Sequence, residues 1–382
     1  MLILMKKDAT KEDLLRVREK IETMGFRAHE IPGAQRTAIG ITGNKGKISP
    51  EQFTTMSGVD DAILVSKPYK LAGRDARKEN SEISVGGERI GGRELAVIAG
   101  PCSVESWEQL ITTARVVKES GAKFLRGGAF KPRSSPYAFQ GMKEEGLVLL
   151  REAKAETGLK IVTEAKDVFT LSAVAEVADM IQIGARNMSN FSLLEAVGDL
   201  RIPILLKRGI SSTIEELLMA AEYILARGNL NVILCERGIR TFEPSTRYTL
   251  DLNAVPVVKK LSHLPIIVDP SHGIGMWDGV TAMALAGVAA GADGLMIEIH
   301  PHPSEALSDG YQSLKPERFR DLMERVRRMA DLLDRSVAAE VPQCHWKRKS
   351  RHSPGLTGGD ISVRTAGSLS PRRLFPHCVN SS

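Results

Sequence analysis

The chain has 382 residues, 42% of them hydrophobic and 26% charged, with a formal net charge of +6. Lys347, Arg348, Lys349, Arg351, Arg364, Arg372 and Arg373 against Asp360 alone supply that whole excess, so the body is formally balanced and offers no basic face to a nucleic acid. Four cysteines are too few and too scattered for a disulfide framework. With no signal-peptide pattern and no apolar run long enough to span a bilayer, a reduced, cytoplasmic protein is predicted, with neither membrane nor nucleic acid as partner.

Residues 1–70 read as a small separate module. An apolar run at Leu2–Met5 predicts a strand. Thr10–Met24 follows with Leu14, Leu15, Val17 and Ile21 at helical spacing, stopping at Gly25. Phe26–Ile31 and Thr37–Ile41 read as strands. Ser49–Met56 reads as a short helix with Pro50 at its first position, and Ala62–Ser66 as a last strand. The order β-α-β-β-α-β is that of a ferredoxin-like unit. Residues 71–92 hold a charged linker and then Ile83–Ile90, a hairpin turning at Gly86-Gly87 that suits the floor of a barrel.

From residue 93 to 341, eight short apolar runs alternate with helix-patterned segments: Leu95–Ala99, Lys123–Leu125, Lys160–Val162, Met180–Ile183, Pro203–Leu206, Val232–Leu234, Pro265–Val268 and Gly294–Ile297. Eight repeats of strand then helix predict a (β/α)8 TIM barrel, an α/β fold whose active site lies at the C-terminal ends of the strands. Residues 342–382 lose all periodicity and are rich in Pro, Ser, Gly, Arg and His. Such a segment buries too little apolar surface to offset its chain entropy, so a disordered, dispensable tail is expected.

The residues just past the runs are the informative ones. Cys102, His272, Glu298 and Asp309 are metal-ligand types on separate strands, a mixed set that accepts manganese, iron, cobalt or zinc as a divalent ion. Taken singly, each has an ordinary packing explanation; together at one barrel end they do not. Cys235, inside the sixth run, reads as packing, and His300 and His302 stand outside the set. Arg126, Lys131, Arg133, Arg186, Lys207 and Arg237 form a cationic group at the same end. So many cations in one mouth repel unless anions bind there, and their number points to more than one phosphorylated substrate. The stretch Leu125–Pro136 adds Gly127-Gly128, which allow close approach of a ligand to the backbone, and Ser134 and Ser135 beside Arg133. It lacks the Walker A pattern and any dinucleotide fingerprint.

Ile98-Ala99-Gly100-Pro101-Cys102-Ser103-Val104-Glu105, Lys131-Pro132-Arg133-Ser134, Ile183-Gly184-Ala185-Arg186-Asn187, Leu206-Lys207-Arg208-Gly209, Cys235-Glu236-Arg237-Gly238 and Val268-Asp269-Pro270-Ser271-His272 resemble the 3-deoxy-D-arabino-heptulosonate-7-phosphate (DAHP) synthases, in the type I-beta form with an N-terminal ferredoxin-like regulatory domain. The resemblance covers about residues 1–338. It implies metal ligation by Cys102, His272, Glu298 and Asp309. It also implies phosphoenolpyruvate binding by Arg126, Lys131, Arg186, Lys207, Arg237 and the backbone at Ala185, and erythrose 4-phosphate binding by Arg133 and Ser134. Lys131, Cys102 and His272 are the catalytic residues it implies. A homotetramer and feedback by tyrosine or phenylalanine at residues 1–70 follow from the same resemblance, although that module has the alternative role of holding subunits together. The reaction implied is an aldol-type condensation of the two phosphates with water, the first step of the shikimate pathway. In it Glu164 either handles a proton or orients a lysine.

Two rivals stand beside this reading. A 3-deoxy-manno-octulosonate-8-phosphate synthase uses the same chemistry on arabinose 5-phosphate, but its loop is one residue longer than Lys131-Pro132-Arg133-Ser134. A metabolite-sensing protein without catalysis is the other.

Overall fold

The computed structural model describes residues 1–33, 36–43, 48–63, 68–133 and 135–339. The expected disordered tail, 342–382, lies outside the described residues, as does Ser134.

Continuous apolar runs in the inner strands of the N-terminal module, LILM and AIGI, produce a sheet buried on both faces there. Strand β1 (Leu2–Met5) lies between β3 (Thr37–Thr42) and β4 (Val59–Ile63), both antiparallel to it, and β2 (Arg27–Pro32) pairs outside β3. The order β2-β3-β1-β4 is that of the expected ferredoxin-like module. Helix α1 (Lys11–Thr23) begins at a reciprocal cap: Thr10 Oγ1 accepts from Asp13 N while Asp13 Oδ2 accepts from Thr10 N. With Val17 and Ile21 it packs on Ile3, Met5, Ile39 and Ile41, the module's own core. Leu2, Ile31 and Ala38 face the other way and join the large core of the barrel.

Two expectations here need correction. Helix α2 (Glu51–Thr54) is shorter than 49–56, and Pro50 precedes it as the cap rather than occupying its first turn. The last strand described in this module is Val59–Ile63, which begins three residues before the expected Ala62; residues 64–66 of the expected strand lie outside the described residues. Asp60 and Asp61 lie exposed, and two adjacent carboxylates hide a strand at the edge of a sheet from an apolar-run reading.

The hairpin β5 (Ile83–Val85) and β6 (Glu88–Ile90) turns at Gly86-Gly87, as expected. Ile83, Val85 and Ile90 pack with Ile98, Phe124, Val162, Met180, Leu205, Ile233, Cys235, Ile267 and Met296, the inward side chains of the barrel. The hairpin thus fills the barrel from one end and leaves the other end for chemistry. Cys235 is part of this filling.

The barrel strands are β7 (Ala96–Gly100), β8 (Phe124–Arg126), β9 (Lys160–Glu164), β10 (Met180–Ile183), β11 (Ile204–Lys207), β12 (Val232–Glu236), β13 (Ile266–Val268) and β14 (Gly294–Glu298). All pair parallel with their neighbours, and β14 closes on β7 with Glu298 beside Gly100. The strands are buried on both faces, which is why they read as continuous apolar runs. The helices are α3 (Trp107–Glu119), α4 (Glu144–Thr157), α5 (Val168–Ala175), α6 (Phe191–Gly198), α7 (Ile214–Ala226), α8 (Ala254–Leu261), the short α9 (Pro270–Ile274), α10 (Trp277–Ala289) and α11 (Pro316–Leu332). The linker is tied to this ring. The Glu222 carboxylate on α7 accepts from Leu71 N and Ala72 N, each at 2.9 Å, and His263 Nε2 donates to Leu71 O at 2.7 Å.

Candidate active site

Several of the residues singled out are the last residues of their strands rather than the first beyond them: Arg126, Glu164, Lys207, Glu236 and Glu298. A side chain at the final strand position is rigidly aimed, because its backbone still belongs to the ladder. Gly100 makes the tightest of these junctions possible. Its φ is +151°, and a Cβ there would lie 2.1 Å from Arg126 O. The ends of β7 and β8 therefore close up and bring Cys102 to Arg126.

Ligand atoms of Cys102, Glu298 and Asp309 all lie within 4.8 Å of one another. Cys102 Sγ donates to Asp309 Oδ2 at 3.1 Å. His272 stands beside this group rather than inside it, with Nε2 3.6 Å from Glu298 Oε1 and Nδ1 2.7 Å from Asp269 Oδ2. Burial, then Glu298 and Asp309, push the Cys102 thiol up to about 12. Burial works against the charge on Glu298, but His272 and Arg126 outweigh it and hold the carboxyl below its ordinary value. The same contest, decided by His272 and Arg247, holds Asp309 well below the carboxylate range. Burial lowers the His272 pKa against the opposing pull of Asp269 and Glu298, which favours the neutral imidazole, the form that ligates metals. Asp309 itself sits at φ +49°. A non-glycine residue in that region is held there by its surroundings, here Arg247 at 3.1 Å and the thiol.

The cations surround this group. Arg126 Nη1 donates to Glu298 Oε1, and Lys131 Nζ lies 3.1 Å from Cys102 O and 3.2 Å from Cys102 Sγ. Lys207 Nζ donates to Asp269 at 2.5 Å. Burial opposes the Lys131 charge, but Cys102, Glu164 and Glu298 outweigh it and raise its pKa. Arg126, Lys131, Arg133, Ala185, Arg186, Lys207, Arg237, His272 and Asp309 all line one cavity of about 430 Å³, with Glu164 and Gln182 on its wall. Cys102 and Glu298 sit buried behind it. His300 pairs with Glu105 at 3.2 Å, away from this group, and His302 is exposed.

Reading the sequence missed the segment after β12. Residues Ile239 and Thr249 bridge as a small hairpin over the mouth, bringing Arg240, Arg247 and Tyr248 to the same cavity. Arg247 Nη1 donates to Gln312 Oε1 at 2.5 Å, and Gln312 Nε2 donates to Glu298 Oε2. The only signal was Arg240 and Arg247 shortly beyond a strand end, in a stretch with no periodicity. Asp269 was visible in the motif, but not its task. It is fully buried and holds Lys207, His272 Nδ1 and the His272 amide at once. A buried clamp from Arg208 to Glu236 and Asp251, each at 2.8 Å, anchors the foot of the hairpin.

Known proteins agree with this layout. Residues 75–335 match the model of the DAHP synthetase I family, and residues 1–67 match that of the DAHP synthase ferredoxin-like domain. The phospho-2-dehydro-3-deoxyheptonate aldolase of Thermotoga maritima is 48% identical over 333 residues, covering 87% of this chain and 98% of the relative. Its crystal structure superposes with a TM-score of 0.71 over 88% of this chain and 98% of that one. A truncated form from the same organism reaches 0.66 at 49% identity, over 70% of this chain and 99% of that one. A 2-dehydro-3-deoxyphosphooctonate aldolase of Methylococcus capsulatus is more distant, 31% identical over 64% of this chain and 90% of the relative. With its barrel matched by one family model, its N-terminal module by another and nearly the whole of a relative at 48% identity, the chain belongs to the DAHP synthetase I family.

Proposed function

We propose that the chain joins phosphoenolpyruvate to erythrose 4-phosphate and water, giving 3-deoxy-D-arabino-heptulosonate 7-phosphate and inorganic phosphate, the first step of the shikimate pathway to aromatic amino acids. One observation carries this reading: eight cations converge on a single cavity backed by the Cys102, Glu298 and Asp309 group. A mouth so cationic matches two phosphate-bearing substrates and little else.

Arg126, Arg186, Lys207, Arg237 and the backbone at Ala185 hold the carboxylate and phosphate of phosphoenolpyruvate, and Arg133 with Ser134 holds the phosphate of the aldose. Fixing both substrates in register supplies much of the rate. The C3 carbon of phosphoenolpyruvate bonds to the aldehyde carbon, water adds at C2, and the bond from C2 to the phosphate oxygen breaks. Lys131 Nζ, set against Cys102 and kept protonated by its surroundings, carries the proton that the aldehyde oxygen takes up as it becomes a hydroxyl. Glu164 favours the charged form of Lys131 and accepts from Gln182 Nε2 at 3.0 Å.

A thiol and two carboxylates whose ligand atoms lie within 4.8 Å, with a neutral imidazole alongside, suit a divalent transition ion. Cys102, His272, Glu298 and Asp309 would hold it, whether manganese, iron, cobalt or zinc, and when bound it supplies Lewis-acid activation of the aldehyde. The two buried cysteines without disulfides support a reducing, cytoplasmic location, and no described helix is long and apolar enough to cross a membrane.

The discriminating experiment compares kcat/KM for erythrose 4-phosphate and arabinose 5-phosphate at saturating phosphoenolpyruvate. The four-carbon aldose should win; preference for the pentose would reject the assignment. Residues 1–70 are assigned a regulatory role, with tyrosine or phenylalanine as effector and a homotetramer as the assembly. Titrating both amino acids against the full chain and against a chain starting at Glu82 tests this: inhibition should vanish with the module, and inhibition surviving undiminished would move the effector site into the barrel. Light scattering checks the assembly.

A further inference from the structure

The cavity wall holds an aromatic ring that the family motifs do not account for. Tyr248 sits on the return arm of the hairpin over the mouth, and the Arg237 guanidinium lies over its ring, 4.0 Å from the centroid. The Arg247 guanidinium is 5.8 Å from the same centroid. Arg237 is 4% exposed. Its Nη1 donates to Gly238 O at 3.3 Å, and its Nε is buried with no hydrogen-bond partner among the described residues.

The ring is held in place independently of Arg237. Tyr248 N donates to Gly273 O and Arg247 N to Ile274 O, both at 3.1 Å, which pins the return arm to the segment just after His272. Gly238 has φ +90°, and a Cβ there would stand 2.7 Å from Tyr248 Cβ, so only glycine lets the ring settle against its neighbour. Gly238 N in turn donates to Glu236 Oε1, inside the Arg208 clamp.

We propose that Tyr248 is a positioning residue for phosphoenolpyruvate: its ring, stacked on the guanidinium, sets the plane in which Arg237 meets the anion bound in the cavity that both residues line. The role rests on the assignment of Arg237 to phosphoenolpyruvate made above. A planar fork recognises carboxylate or phosphate only when its plane is right, and a ring face supplies that restraint. The phenol fits the same surroundings. Burial raises its pKa, but Arg237, through its charge and a side-chain hydrogen bond, and the charges of Arg247 and Arg186 outweigh it and hold the group below its ordinary value.

The test uses the full chain with Tyr248→Leu and Tyr248→Phe. Phosphoenolpyruvate binding is measured by calorimetry without the aldose, and KM for each substrate and kcat are measured with both. Loss of the ring in Tyr248→Leu should weaken phosphoenolpyruvate binding and raise its KM roughly tenfold, with KM for erythrose 4-phosphate and kcat little changed. Tyr248→Phe keeps the ring face and should restore affinity. Melting curves establish that both variants are folded, which the half-exposed position of Tyr248 favours. Unchanged affinity in the folded Leu variant would overturn the proposal. So would a Phe variant as impaired as Leu, which is informative even if Leu does not fold, or a loss confined to kcat. Failure of the unmodified chain to bind phosphoenolpyruvate at all would instead remove the substrate assignment, and this role with it.

Discussion

His263 makes the stability of this protein depend on pH through one buried ring. Its Nε2 donates to Leu71 O at 2.7 Å and its Nδ1 accepts from Ser81 Oγ at 2.8 Å, so the neutral imidazole is satisfied on both sides and ties the linker to the barrel. Burial, helped by Arg77 and Arg74, lowers its pKa from 6.5 to about 4. A proton therefore binds the unfolded chain more readily than the folded one between those values. Stability is complete above pH 6.5, declines as pH falls toward 4, and loses nothing more to this group below that. At about 1.4 kcal/mol per pH unit, the gap amounts to roughly 3 kcal/mol. The assay is urea unfolding at closely spaced pH values from 4 to 8, for the unmodified chain and for His263→Gln. The variant should be less stable at pH 7.5, where it loses a fitted ring, yet show a flatter decline between 6.5 and 4. Parallel curves for the two proteins over that window would refute the reasoning.

Other perturbations give equally definite outcomes. Cys102→Ser and His272→Ala should each cut turnover roughly 100-fold or more while circular dichroism melting stays near that of the unmodified chain, since a ligand is lost from an otherwise packed barrel. Asp269→Asn, which frees both Lys207 and His272, should weaken metal binding by about 10- to 100-fold in a competitive chelator titration. Arg208→Met strands the buried Glu236 carboxylate and should cost about 3 kcal/mol in urea unfolding, the usual penalty for halving a buried pair. A chain ending at Val341 should retain both melting temperature and turnover, because the segment removed has too little apolar content to pack.

The barrel was legible because its strands are buried on both faces and therefore spell themselves as apolar runs, five of them ending in a charge. The same property made the mouth legible: Arg126, Lys207 and Glu298 are charges at the end of runs that otherwise tolerate none. What escaped was structure stabilised by position rather than by pattern. The hairpin at 239–249 is irregular, threonine-rich and exposed over much of its length, and it holds its shape through backbone bonds to Ile210, Gly273 and Ile274 from distant parts of the chain. No local periodicity encodes such bonds. The stacking of Arg237 on Tyr248 escaped for the same reason. The start of the edge strand, at Val59 rather than Ala62, was missed because an edge exposes side chains that a central strand buries. His272 was grouped with three other ligand types by motif. The fold sets it slightly apart from them, held by Asp269 through Nδ1, and that arrangement cannot be read from spacing.

The most direct measurement of the central claim is single-turnover release of inorganic phosphate from phosphoenolpyruvate, followed with and without erythrose 4-phosphate and with and without exhaustive chelation. The account predicts one phosphate per active site only when both substrates are present, abolished by the chelator and restored by a divalent transition ion. Phosphate release that proceeds equally without the aldose, or full activity after chelation, would contradict it.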